Sequence, residues 1–289
     1  MEYAVHHRTA TVDGLEVFYR EAGDPGAPTV VLLHGFPTSS HMFRALIPAL
    51  ADRFHVVAPD HIGFGRSAMP ALRDFPYTFD ALTDITEGLL RRLGVDRFAM
   101  YVQDYGAPIG WRLALRSPGR ITAIVTQNGN AYEEGLVPSF WKDVFAYGEH
   151  PGPATEAPVR TALTLEGVRW QYLTGVPDPS LVSPDTWAHD QALLDRPGND
   201  RIQLKLFRDY LTNVALYPKV HQYFRDTQVP LLAVWGANDP IFGPAGAEAF
   251  RQDLPGAEVR LLDTGHFALE SHLGAIAGAM RDFLGRALG

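Results

Sequence analysis

A recurring kind of segment limits what this chain can fold into. Thr29-Val30-Val31-Leu32-Leu33, His55-Val56-Val57-Ala58, Phe98-Ala99-Met100-Tyr101-Val102 and Ile121-Thr122-Ala123-Ile124-Val125 are short, almost continuously apolar and rich in β-branched side chains. A strand with one wet face alternates polar and apolar residues; runs without that alternation suit strands buried on both faces. Between them lie stretches with helical spacing of apolar residues, at 40–51, 79–93 and 107–116, with Gly94 as a stop signal after the second. Strand and helix in alternation predict a parallel sheet with right-handed crossovers. Residues 9–21 alternate around Asp13-Gly14 and predict an opening hairpin.

The rhythm stops after residue 131. From 132 to 225 there is no buried-strand run, but there are helical stretches, Pro and Gly, and aromatics including Phe140, Trp141, Trp170, Tyr172 and Trp187. It resumes with Pro230-Leu231-Leu232-Ala233-Val234-Trp235 and Glu258-Val259-Arg260-Leu261-Leu262, and 274–284 predict a closing helix. The expected architecture is a mostly parallel α/β sheet flanked by helices. Residues 1–131 and 226–289 form its core, and 132–225 a helical cap.

Composition narrows the function. The net charge is −8, with no Lys/Arg run, so phosphates would go unneutralised and a nucleic-acid partner is not expected. There are no cysteines, which excludes disulfides, thiolate metal sites and a cysteine nucleophile. The first residues, Met1-Glu2-Tyr3-Ala4-Val5-His6-His7, lack the pattern of a signal peptide, and no stretch approaches the roughly 20 apolar residues of a membrane span. The expected location is the cytoplasm. His189 with Asp185 or Asp190 has ligand-like helical spacing but no third ligand, so no metal or cofactor is expected.

Chemistry concentrates at the ends of the apolar runs. In Tyr101-Val102-Gln103-Asp104-Tyr105-Gly106-Ala107 a strand ends, a tight turn with a glycine follows, and a helix begins. This is the setting of a nucleophile elbow, with Asp104 where a serine is more familiar. His34-Gly35-Phe36-Pro37 follows the first buried strand, where the N–H groups of Phe36 and Tyr105 can form an oxyanion hole. Trp235-Gly236-Ala237-Asn238-Asp239-Pro240 places Asp239 after a later strand, and Thr264-Gly265-His266-Phe267 places His266 after the last. Nucleophile, acid, histidine is the chain order of the triad on this kind of sheet, with Asp263 a second carboxylate near His266.

These segments, with Asp60-His61-Ile62-Gly63-Phe64-Gly65-Arg66-Ser67, resemble the α/β-hydrolase superfamily, and within it the branch of epoxide hydrolases and haloalkane dehalogenases. The resemblance implies a two-step reaction, and the aromatics of the cap suggest a small apolar organic substrate. Asp104 attacks an sp³ carbon to form an alkyl ester, and a water activated by His266 cleaves it. Asp239 orients His266 and stabilises its cation.

The leaving group separates the two activities. Dehalogenases of this kind carry Trp after the nucleophile, and many carry Asn between the Gly and Pro of the first motif. Here these positions hold Tyr105 and Phe36. Losing such donors costs on the order of 1–3 kcal/mol each. The fluoroacetate branch has Arg after the nucleophile, which is also missing. Epoxide hydrolases supply two cap tyrosines as acids. The resemblance places these at Tyr147, in Tyr147-Gly148-Glu149-His150-Pro151-Gly152, and at Tyr217, with Tyr210 as a rival. Epoxide hydrolysis is the favoured expectation. Dehalogenation, ester hydrolysis with Asp104 as a base, and a low-turnover ligand-binding homologue are the alternatives.

Overall fold

The hairpin forms as its turn dictates. Asp13 and Gly14 both have positive φ, 48° and 81°, as a two-residue hairpin turn requires. They join β1 (His6–Val12) to β2 (Leu15–Ala22), with Val12 opposite Leu15. The computed structural model describes residues 3–288; Met1 and Glu2, at the start of the N-terminal reading, and Gly289 lie outside the described residues.

The apolar runs are strands. β3 (Thr29–Leu33), β4 (His55–Pro59), β5 (Phe98–Val102), β6 (Ile121–Thr126), β7 (Leu231–Gly236) and β8 (Glu258–Leu262) complete an eight-stranded sheet in the order β1-β2-β4-β3-β5-β6-β7-β8. β1 and β2 are antiparallel, and the pairs from β4 to β8 are parallel. Val30, Leu32, Ala99, Tyr101, Ile124 and Leu232 are wholly buried between the helical layers. Each large apolar side chain so placed contributes roughly 1.5–3 kcal/mol. β3 crosses to β4 on one side and, through β4, to β5 on the other, so the order reverses between β3 and β5. Open sheets of this kind present their ligand site at such a reversal, at the carboxyl ends of the strands.

Two helical expectations change and one helix is added. The segment 40–51 divides into a 3₁₀ turn, Ser40–Phe43, and a short helix, Leu46–Leu50. Pro48 has no N–H to bond the carbonyl of residue 44, and the Asp60 carboxylate accepts the Ser40 N–H instead (2.8 Å). The closing helix runs from Ala268–Leu288, longer than expected, with a kink at His272. A helix at Pro244–Asp253, unread in the sequence, begins with a proline at its first position and buries Ala247 and Phe250.

Between β6 and β7 the chain forms only helices: Pro138–Glu149, Pro153–Arg160, Leu165–Leu173, Pro184–Leu194, Asn199–Asp209 and Leu211–Thr227, with short 3₁₀ turns. Three of them start on a proline, which fits where an N–H would go unbonded anyway.

His34, the residue after β3, is fully buried. Its Nδ1–H donates to Gly35 O (3.0 Å), and its Nε2 accepts the His61 N–H (3.0 Å). Burial holds its pKa down at about 4, against a weaker opposing effect of the Gly35 carbonyl. The unfolded chain takes up this proton near pH 6.5 and the folded chain only near 4. Between these values the unfolded state binds more protons, so this group removes stability as the pH falls. Thermal unfolding of wild type and His34→Gln from pH 7.5 to 4 tests this. The variant is expected to start less stable but lose Tm more slowly below pH 6.5; parallel curves would refute it.

Candidate active site

The carboxyl ends of β3, β5, β6, β7 and β8 converge on one histidine. After β5 the chain turns so sharply that Asp104 adopts φ 47°. That left-handed conformation costs a non-glycine residue roughly 1–3 kcal/mol. The turn passes under β3, and a Cβ on Gly106 would lie 2.1 Å from the Leu33 carbonyl oxygen. Across from it, a Cβ on Gly35 would lie 2.3 Å from the Cβ of Asp104. Both glycines are therefore demanded by space.

This approach aims two backbone donors at one carboxylate. The Phe36 N–H donates to Asp104 Oδ1 at 2.6 Å, and the Tyr105 N–H also faces the carboxylate. Oδ2 lies 3.9 Å from His266 Nε2. One oxygen is thus held by the Phe36 N–H while the other faces the imidazole. Burial raises the pKa of Asp104 above the ordinary carboxylate range; His266 and the two N–H groups pull it back.

His266, fully buried, is oriented from three sides. Its Nδ1–H donates to Asp239 Oδ2 at 2.8 Å. The Gln127 amide donates to its carbonyl (2.8 Å), and the Gln103 amide donates to Nε2 (2.8 Å). Burial pushes its pKa down, but Asp239 and then Asp104 outweigh that, so the imidazole is a stronger base than usual. Asp263 does not compete for it, because its carboxylate accepts the Asn238 amide N–H at the surface (2.8 Å).

Asp239 is fixed as firmly as the histidine. Its Oδ1 accepts the Ile241 N–H (2.7 Å), and its Oδ2 also accepts from the Asn128 amide (2.6 Å). Asn128, at φ 49°, accepts the Gly236 N–H through its own side-chain oxygen (2.8 Å). Asparagine tolerates that conformation better than most residues. Sequence reasoning missed Gln103, Gln127 and Asn128. A signal was present, since Gln127 and Asn128 follow β6 directly, at the same edge as the other site residues.

The tyrosines divide differently from expectation. Tyr210 is buried against Tyr105 (ring centroids 6.0 Å) and Trp141 (4.2 Å), within range of the Asp104 charge, and its hydroxyl is close to that of Tyr217. The Tyr217 oxygen also accepts from the Asn130 amide (3.3 Å). Tyr147 stands apart: its hydroxyl donates to Glu156 (3.4 Å), and it lines an outer cleft with Arg208 and Asp209. On the helix Pro138–Glu149 it is buried, as Trp141 and Val144 are, but it packs toward that outer cleft and Trp141 packs on Tyr210. Tyr217 thus lies beside Tyr210, the rival named above, and not beside Tyr147.

The site contains no clustered metal ligands among the described residues. His189 rests on His41 (ring centroids 4.3 Å), and Asp190 accepts the Tyr172 hydroxyl (2.5 Å). No helix among the described residues is long and apolar enough to cross a membrane.

Known proteins share this arrangement of chain. An uncharacterized hydrolase of Saccharomyces cerevisiae, YNR064C, is 48% identical over 274 residues, covering 94% of each chain. Epoxide hydrolase A of Mycobacterium tuberculosis is 27% identical and covers 96% of each. Among solved structures, haloalkane dehalogenase DbeA from Bradyrhizobium elkani superposes with a TM-score of 0.79 at 25% identity, over 99% of this chain and 98% of the other. The model of the alpha/beta hydrolase fold family matches residues 28–273, from the strand before the Phe36 turn to the helix beyond His266. By that match, and by the full-length likeness to the yeast hydrolase, the chain belongs to the α/β-hydrolase fold family.

Proposed function

We propose that this protein is an epoxide hydrolase acting through an ester on Asp104, with the helices between β6 and β7 as its cap. The observation that carries the reading is the division of labour at one carboxylate. Oδ1 accepts the Phe36 N–H, the Tyr105 N–H also faces the carboxylate, and Oδ2 lies beside His266. A serine-type hydrolase would keep its donors for the substrate's carbonyl. Here they bind the nucleophile's own oxygen, which suits an enzyme whose own carboxyl becomes the ester.

In the first step Oδ2 attacks an epoxide carbon, the ring C–O bond breaks, and the electron pair goes to the departing oxygen. Tyr210 gives that oxygen a proton. Burial first, then the charges of Tyr217 and Asp104, holds the Tyr210 pKa well above that of a free phenol, so it is protonated at neutral pH. An alkoxide is far more basic still and takes the proton readily. In the second step His266 removes a proton from water, the hydroxide adds to Asp104 Cγ, and the negative charge moves to Oδ1. The two N–H groups that held the resting carboxylate hold this oxyanion, so little has to reorganise. Collapse breaks the Cγ–Oδ2 bond; the proton of the added hydroxyl passes to the departing diol oxygen, which restores the Asp104 carboxylate, and the His266 proton returns to the Tyr210 phenoxide.

Dehalogenation fits less well. Phe36 offers no side-chain donor, and the indole N–H of Trp141 is committed to the Ile241 carbonyl (2.8 Å). The epoxide hydrolase and dehalogenase among the similar proteins fit either chemistry on this frame. The leaving-group tyrosines favour the epoxide.

His266→Ala incubated with an epoxide such as styrene oxide is expected to gain the mass of the whole epoxide, on the peptide bearing Asp104. A halogen-free alkyl adduct from haloalkanes alone would move the activity to dehalogenation, and no adduct from either class would sink the ester mechanism. Tyr210→Phe is expected to slow epoxide turnover by roughly 10²–10⁴, with Tyr147→Phe within about twofold of wild type. The reverse pattern would reinstate Tyr147. Asn128→Leu removes one donor from Asp239 and is expected to slow ester hydrolysis by on the order of tenfold, seen as ester accumulating during turnover; an unchanged ester lifetime would dismiss that role.

A further inference from the structure

The largest clefts near the buried site include one of 570 Å³ within the inserted helices. One wall carries Phe140 and Trp170, whose rings are parallel within 4° at 6.3 Å, and Trp170 is 41% exposed. Phe207 also lines the cleft, and its ring packs on Phe36 (5.0 Å) and Tyr105 (6.1 Å). The cleft therefore ends one aromatic ring away from the two residues whose N–H groups hold Asp104. A large apolar cleft adjoining reactive groups is the usual form of a small-molecule site.

Two features of the lining say what enters. Gln171 is 1% exposed and lines the cleft, yet its amide nitrogen has no hydrogen-bond partner. A buried donor left unpaired is costly, and native structures keep one chiefly where something else is to bond it. The charged residues of the lining are Asp143 and Glu166, both carboxylates, with no cation among the lining side chains. Neither takes part in an ion pair among the described residues. A carboxylate or phosphate ligand would meet only like charge there.

We propose that this cleft holds the non-reacting end of the substrate, and that this end is a neutral apolar group carrying one hydrogen-bond acceptor for Gln171, such as an amide, ester or ether oxygen. Substrates ending in a carboxylate are rejected. That the other end is an epoxide rests on the reading of Asp104 given above; the preference of the cleft does not.

Unreactive probes separate the two. N-methyl-4-phenylbutanamide, 4-phenylbutanoate and butylbenzene share an apolar body and differ at the end. Titrated into wild-type protein by calorimetry, with Trp170 fluorescence as a second signal, the amide is expected to bind about tenfold tighter than the carboxylate and several-fold tighter than the hydrocarbon. Gln171→Met is expected to erase the advantage of the amide over butylbenzene while keeping butylbenzene binding. Asp143→Asn with Glu166→Gln, a change at the cleft's outer residues, is expected to tighten the carboxylate several-fold and leave the amide alone. Equal binding of amide and carboxylate, an amide advantage that survives Gln171→Met, or no binding of any probe would overturn the proposal. If these preferences hold but His266→Ala forms no adduct with epoxides, the cleft stands and the epoxide reading falls.

Discussion

Two backbones meet at this site with no room for a side chain between them. The turn after β3 and the turn after β5 come so close that Gly35 would drive a Cβ into Asp104, and Gly106 would drive one into the Leu33 carbonyl. The reversal of strand order between β3 and β5 brings the turns together, and the parallel pairing of Leu33 with Val102 sets their height. Only because they touch can the Phe36 N–H reach a carboxylate sixty-eight residues later in the chain at 2.6 Å. The positive φ of Asp104 is sustained by the buried strand below and the helix Gly106–Arg116 beyond.

Charge at the site is arranged with equal economy. Asp104 and His266 are both buried, and desolvation alone would neutralise both. Each is the other's compensation: the imidazole draws the Asp104 pKa back down, and Asp104, after Asp239, raises that of His266. Asp239 in turn is held by Asn128 and by the Ile241 N–H. The chain of dependence runs from a carboxylate that touches substrate under the proposed chemistry to an asparagine at the end of β6 that does not.

Much of this was legible in the sequence, for identifiable reasons. Strands buried on both faces read as uninterrupted apolar runs, and β3 and β5 have the bounds their runs suggested; β8, at the sheet edge and only partly covered, was bounded by its run as well. Residues at strand ends beside glycines were legible because tight turns restrict composition; hence Asp104, Asp239 and His266. Asn128 and Gln103 were not, because an amide beside a strand end has no pattern of its own and its partners lie far away in the chain. Which tyrosines stand together was not legible for a related reason. Helical periodicity locates a residue on a face of its own helix, but which face meets Asp104 depends on how the inserted helices pack, and Trp141 and Phe207 decide that.

The insertion between β6 and β7 has a consequence for how such a protein can change. Ile124 pairs directly with Leu231, so the sheet closes across the whole helical segment as though it were a loop. The entropy of closing a loop grows only logarithmically, with each doubling of length adding about 0.6 kcal/mol. Lengthening, shortening or rebuilding the segment is therefore nearly invisible to the sheet, provided its two ends remain together. Gly35, Asp104, Asp239 and His266 all lie outside it, whereas Gln171, Phe207 and Tyr210 lie within it. Under the proposed chemistry the nucleophile and its histidine lie in the sheet's own stretches of chain, while the leaving-group acid and the cleft lie in the insertion, so recombination at two strand ends exchanges the second set without touching the first.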